Sequence, residues 1–337
     1  MKCYIDPRCK INYASYYIKG FYDILGKSKV IFFKEKFRNF PSSADSQYRG
    51  MNILLVYEDG SQKKIYIDYH DSDKIIEDVY NYVDVYAKVN LNKNDSNKKN
   101  IIAIGPSFGI DIWNWFELFY FLMFNFISIF INLKISKKQY VLDYLYTKIR
   151  RKSFDYYIEC DLKRDDKYLF NISTLWFPSY VKKTNDFRYK FYKLSKEMFQ
   201  FKGGYYLIPS KDKDYIEYSK HFKEYLFSKR ITMKDYIDNT KKSCFVFNTP
   251  AVQDCHGWKL GEYFALGKAI ISTPLSNELP GPYQSLITFI ESEEELRKKM
   301  LYLKNNFEAI SLIEEKTVKY FNDYLSPQAV VQIIINS

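Results

Sequence analysis

The sequence predicts an α/β protein built from two domains, and three observations lead there. Short β-branched and aromatic runs alternate with helix-period segments along most of the chain. At 337 residues the chain can bury two cores of ordinary size. Residues 244–272 read as strand, loop, helix and strand, the unit from which parallel sheets are assembled.

Residues 13–25 carry a helical pattern and 29–33 a strand. Two more strands, 53–57 and 64–69, flank Glu58-Asp59-Gly60, a hairpin-type turn. A helix over 73–86 runs into a short strand near 87–89. The polar loop 92–100 then precedes a strand at 101–104 and the turn from Gly105 to Gly109. The charge-rich stretch 147–167 suits neither core and marks the junction between a first domain, 1–155, and a second, 156–325, with 326–337 as a tail. The second domain opens with a strand at 168–172, a helix at 188–201 and a turn at Gly203 and Gly204 leading into another strand. Helices at 215–229, 232–240, 293–305 and 308–324 follow, and no internal repeat is visible.

Residues 113–133 form the most apolar stretch, long enough for a bilayer span of roughly 20 residues. Glu117, Asn125 and Asn132 interrupt it, and a carboxylate in lipid is expensive. A buried helix of the first domain ranks first. An interfacial helix, with Trp at one end and Lys134, Lys137 and Lys138 at the other, ranks second, and a span last.

Fifty-one basic against 40 acidic side chains give a formal charge of +11. That field suits phosphorylated small molecules, an anionic membrane surface or nucleic acid. The cations are scattered in short groups and no nucleic-acid motif accompanies them, which sets nucleic acid aside. Cys3, Cys9, Cys160, Cys244 and Cys255 are irregularly spaced and fit neither a disulfide framework nor a zinc site, as expected of reduced thiols in a cytoplasmic protein. The first residues carry no secretory pattern.

The chemistry concentrates after residue 243. A strand at 244–248 stops at Thr249-Pro250, a loop reaches His256-Gly257, a helix covers about 258–266, Gly267 ends it and a strand follows at 269–272. A loop so placed sits at the carboxyl edge of a parallel sheet, where open α/β folds bind ligands. The helix start offers amides and a partial positive charge to a diphosphate, with Gly257 for close approach and Lys259 as a mobile cation. Trp258, Lys259 and Glu262 share one side of the helix, while Leu260 and Phe264 form a core stripe. The Glu262 carboxylate can accept both hydroxyls of a ribose. Thr249 closes the strand beside this set, and Arg230, ahead of the preceding helix, is a further phosphate candidate.

Asp254-x7-Glu262 followed by Tyr-Phe-Ala-Leu-Gly-Lys-Ala-Ile-Ile-Ser resembles the donor motif of GT-B glycosyltransferases. The stretch from His256 to Glu262 is also similar to exostosin-like and bacterial polysaccharide-assembly enzymes. The resemblance covers about a tenth of the chain. It implies two Rossmann-like domains facing across a cleft, Glu262 on the nucleotide ribose and the amides of Gly257 to Lys259 on the pyrophosphate. It also implies Asp254 at the donor sugar, with Asp in place of the usual Glu and Lys268-Ala269 in place of the usual small-Pro pair. His256 is as well explained by loop structure as by donor contact, and Trp258 better by packing than by sugar stacking.

An acceptor-side base is sought in the first domain, where His70 and Asp71 follow a strand. Capping of the next helix by Asp71, Ser72 or Asp73 is the stronger explanation for each alone. The expected function is transfer of a sugar from a nucleotide-sugar to a glycan or lipid-linked acceptor in surface polysaccharide assembly, without cofactor or metal. The protein would be cytoplasmic, in contact with the inner membrane face. An inert nucleotide- or glycan-binding protein and a membrane-surface scaffold are the alternatives.

Overall fold

The computed structural model describes residues 1–41, 49–129, 136–159, 162–227 and 229–337. The end of the apolar run, Lys134 and Cys160 lie outside the described residues. The α/β class holds throughout. The chain divides into one unit of Met1–Tyr156, Asn277–Gly281 and Asn322–Ser337, and a second of Tyr157–Ser276 and Pro282–Phe321.

The first unit is built on a six-stranded sheet. Its elements are β1 (Lys2–Ile5), α1 (Ile11–Leu25), β2 (Val30–Phe32), β3 (Gly50–Val56), β4 (Gln62–Asp68), α2 (Glu77–Tyr80), β5 (Val85–Lys88) and β6 (Ile101–Ala103). The spatial order is β2-β1-β3-β4-β5-β6. β3 runs against both neighbours, with Leu54 opposite Lys64, and the remaining pairs are parallel. Phe40, Leu54, Tyr66, Tyr86 and Ile101 pack one face of the sheet. The long helix expected over 73–86 shrinks to α2, because residues 85–88 are drawn into the ladder beside β4. Ile76 caps α2 without a side-chain hydrogen bond, so Asp71, Ser72 and Asp73 do not cap it.

Helices α3 (Trp115–Ile129), α4 (Lys137–Arg150) and α5 (Phe154–Ile158) follow. The expectation of a buried helix at 113–133 is corrected here. Leu118, Leu122 and Asn125 are buried, but Phe116 is 81% exposed and Ile127 69%. The residues after 326 are no loose tail. They form a helix over Pro327–Asn336 that lies so close to α1 that a Cβ on Gly20 would stand 2.0 Å from the Pro327 carbonyl oxygen. The turn at Gly105 and Gly109 serves packing: a Cβ on Gly105 would meet Leu325, and one on Gly109 the Asn12 backbone.

The second unit contains β7 (Tyr168–Leu175), α6 (Pro178–Met198), β8 (Gln200–Leu207), α7 (Lys213–Lys220), α8 (Met233–Lys242), β9 (Val246–Asn248), α9 (Trp258–Ala265), β10 (Ile270–Ser272), β11 (Ile287–Phe289), α10 (Glu293–Asn305) and α11 (Phe307–Tyr320). The helix Pro327–Asn336, in the first unit, is α12. Gly203 and Gly204 lie inside β8 rather than in a turn before it. A Cβ on Gly203 would stand 2.2 Å from the Asn171 carbonyl oxygen of β7. β7 pairs with β8 and β10 with both β9 and β11, all parallel. Cys244 N donates to Tyr168 O at 2.8 Å and Asn171 Nδ2 to Phe247 O at 2.8 Å, which sets β9 beside β7. A two-stranded sheet, β8-β7, and a three-stranded one, β9-β10-β11, thus lie side by side in the order β8-β7-β9-β10-β11, the 2-1-3-4-5 winding of a doubly wound α/β fold. Phe191, Tyr192, Phe245, Phe247, Ile271 and Leu296 belong to its core.

Candidate functional site

In such a winding the order reverses between β7 and β9, and the crevice outside their carboxyl ends is the natural place for a ligand. A cavity of about 150 Å³ lies there. Ser173 and Thr174 line it from β7, Asn248 and Thr249 from β9, and Gly257, Trp258 and Lys259 from the start of α9. Gly257 is the N-cap of α9 and supplies no side-chain cap, and no acid occupies the first turn. The protein's own packing does not require glycine there: an added Cβ would meet only the Ala251 Cβ, at 3.6 Å.

Two cations share the cavity wall. Arg188 on α6 is buried, with Nε donating to Thr249 Oγ1 at 2.8 Å and Nη1 to Thr174 O at 3.2 Å. Burial pushes its pKa below the ordinary guanidinium value, yet a guanidinium keeps its charge in proteins. Lys259 Nζ donates to Ser173 Oγ at 3.1 Å. Desolvation, then the neighbouring Arg188, lower its pKa to about 7, and the Glu262 charge partly offsets them. Among the described residues neither cation makes an ion pair with a carboxylate. Buried Arg188 and half-buried Lys259, neither ion-paired with a carboxylate among the described residues, together favour an anion.

Glu262 is buried one turn further along α9 and is not part of the cavity lining. Its Oε2 accepts from Tyr236 Oη at 2.9 Å and its Oε1 from Tyr157 Oη at 3.5 Å. The carboxylate thus faces two hydroxyl donors, both phenolic. Leu260 and Phe264 are fully buried core residues, and Gly267 ends the helix at φ 61°.

Asp254 is exposed and lines a different cavity, of about 500 Å³, with Lys183, Thr184, Thr273 and Glu291. It follows Gln253, and both non-glycine residues adopt left-handed backbone, at φ 54° and 59°. His256 is buried and lines neither cavity. Arg230 is exposed and does not line the cavity either.

In the first unit, the carboxyl ends of β4 and β5 hold a buried ion pair, Lys88 Nζ to Asp68 Oδ2 at 2.8 Å, with Tyr86 Oη donating to the same oxygen at 2.6 Å. His70 sits on this cluster, and its backbone N donates to Asp68 Oδ1 at 2.9 Å. Its Nδ1 accepts from Ser72 N at 3.2 Å, so the neutral ring carries its proton on Nε2. Burial first, then Arg49, push its pKa below the ordinary imidazole value. Asp71 is exposed, and Asp73 accepts from Asn92 Nδ2 at 3.0 Å. Among the described residues no group of three or more His, Cys, Asp or Glu could hold a metal ion.

Arg188, Ser173 and the Asp68–Lys88 pair escape sequence reasoning. Arg188 had one legible signal, a lone arginine in helical register with Asn185 and Tyr192, next to the stripe of Phe187, Phe191 and Leu194.

No protein-family model matches the chain, and no curated protein sequence matches it. Solved structures do. An S. aureus TarM mutant in complex with Fondaparinux, alpha-GlcNAc-glycerol and UDP is 14% identical over 76% of this chain and 44% of its own, with a TM-score of 0.40. A glycosyltransferase from Rickettsia africae is 11% identical over 75% of this chain and 62% of its own, at 0.41. The pneumococcal O-GlcNAc transferase GtfA, in complex with UDP and GlcNAc, is 11% identical over 85% of this chain and 67% of its own, at 0.38. The chain therefore spans less than two thirds of the first two.

Proposed function

We propose that the chain is a nucleotide-sugar-dependent glycosyltransferase of the GT-B type, with the donor held by the second unit. One observation carries this: buried Arg188 and half-buried Lys259, neither ion-paired with a carboxylate among the described residues, line a cavity at the switch point beside the bare start of α9. A diphosphate fits that chemistry. Arg188 offers a planar fork, Lys259 a point charge and α9 its first amides. These groups would stabilise the nucleoside diphosphate as it leaves, and electrostatic stabilisation of this kind is commonly the largest catalytic contribution. In this reading the two cations do the work a metal would do elsewhere.

Glu262 would take the ribose by exchanging the long Tyr157 contact for ribose hydroxyls, keeping Tyr236. Asp254 would face the sugar from the larger neighbouring cavity. His70 would serve the acceptor; as a base it must first give up the Ser72 amide and move its proton from Nε2 to Nδ1. The acceptor would be a glycan or lipid-linked saccharide of a surface polysaccharide, modified on the cytoplasmic side.

Isothermal titration of UDP, GDP, CDP and ADP against the wild type, Arg188→Met and Lys259→Met tests the donor site. Binding of at least one nucleotide is expected, weakened in both variants; equal binding by all three proteins removes the proposal. Binding without transfer or hydrolysis across a donor panel would reassign the chain as a nucleotide-binding protein.

A further inference from the structure

Helix α3 presents a bare apolar face. Trp115, Phe116, Phe119, Met123, Phe124 and Ile127 are exposed along it, with Tyr120 stacked on Phe124 at 6.2 Å. At 3.6 residues per turn these positions cover about half of the helix circumference and ~18 Å of its length. No charged residue falls within that arc. Glu117 stands at its edge, bonded to Lys27 at 2.6 Å. The opposite face is anchored by Leu118, Leu122 and Asn125, whose Nδ2 donates to Tyr144 Oη of α4 at 3.0 Å. An apolar surface of this extent marks an interaction site.

The charges around it decide what the partner is. α4 runs antiparallel to α3, with Trp113 stacked on Tyr144 and Phe126 near Tyr140. At the Trp115 end, Lys148 Nζ lies 5.7 Å from the Trp115 ring centroid, Arg150 covers Tyr146, and Lys27 and Lys29 are exposed. At the far end Lys137 and Lys138 are exposed. Glu117 and Asp111 offset Lys27 and Lys148, at 2.6 and 2.7 Å, but exposed Lys29 and Arg150 leave the Trp115 end basic, as Lys137 and Lys138 leave the other. Two copies pairing through this face, in either direction, would set cation against cation. Anionic headgroups complement both ends at once, while the aromatic row enters the acyl boundary between them. No described helix is long and apolar enough to cross a membrane.

We propose that the exposed face of α3 docks the protein in the plane of an anionic lipid bilayer. The proposal is independent of the donor site. Flotation with phosphatidylcholine vesicles, with and without phosphatidylserine, tests it. The wild type is expected to float with the phosphatidylserine vesicles and to be released by salt. Phe116→Ser/Phe119→Ser should lower partitioning about tenfold or more. Lys137→Glu/Lys138→Glu should lower it about fivefold or more on anionic vesicles. All four side chains are exposed, so unchanged melting curves will confirm that the variants fold. Wild type that stays with the soluble fraction, or variants that float as it does, overturns the proposal. So does a lipid-independent dimer abolished by the Phe substitutions, which would assign the face to a second copy.

Discussion

The Arg188 guanidinium donates to the Thr249 hydroxyl at 2.8 Å, binding the middle of α6 to the end of β9 inside the cavity wall. Thr249 is neutral, so this bond positions the cation and leaves its charge uncompensated. Arg188→Met should therefore separate stability from ligand affinity. Charged hydrogen bonds contribute about 1.5–3 kcal/mol each, so nucleoside diphosphate affinity is expected to fall about 10- to 150-fold. The melting temperature should hold or rise, because a buried charge is removed. A large fall in melting temperature with unchanged affinity would make Arg188 a structural residue.

Lys259 gives the site a pH dependence of definite sign. With a folded pKa near 7 against an ordinary value of 10.5, the empty protein sheds this proton earlier than the unfolded chain does. Stability contributed through this group should rise with pH between about 7 and 10.5, where the unfolded state binds more protons. Anion binding works the other way, since it favours the protonated amine. Affinity for a nucleoside diphosphate should weaken above pH 7, by up to about tenfold per unit, with proton uptake on binding at pH 8. Titration calorimetry in buffers of different ionisation enthalpy will measure that uptake, and Lys259→Met should abolish it.

The Asp68–Lys88 pair is fully buried, and Tyr86 adds a third group to it. Breaking one side leaves a charge stranded. Lys88→Met and Asp68→Asn are each expected to destabilise the first unit by about 3–5 kcal/mol in urea unfolding. The double substitution should lose less than the sum of the singles. Additive losses would show that the two side chains are not coupled.

Gly20 lets the Pro327 backbone approach α1 more closely than any side chain permits. Gly20→Ala must push α12 outward, with an expected loss of about 1–3 kcal/mol. Limited proteolysis should then cut within residues 322–337 faster than in the wild type. An unchanged cleavage rate would place the flexibility of this contact elsewhere.

Much of the second unit was legible because its signals are local. Gly267 announces a helix stop, and its φ of 61° is the conformation that calls for glycine. The stretch from Thr249 to Lys259 could be placed at a sheet edge from its strand and helix alone. Arg188 could not, since it reaches the cavity only because α6 folds back across β7 and β9 from some 60 residues away in sequence. Which side of the apolar run after Trp113 is buried is hidden in the sequence for a related reason. Its composition is apolar all round, and only packing against α4 decides which half of the helix is covered. Likewise the helical pattern over 73–86 lost residues 85–88 to a ladder that local propensity does not register.

α12 completes a surface whose other half, α1, is made some 300 residues earlier. At ribosomal speeds of roughly 5–20 residues per second, the seat of α12 on α1 stays uncovered for about 15–60 s of synthesis. The whole second unit emerges during that interval and can fold before the first is closed. The nascent first unit must therefore wait, with that face of α1 uncovered, for a segment made some 300 residues later. A chaperone that shields α1 during this delay would raise the yield of folded protein without touching either cavity.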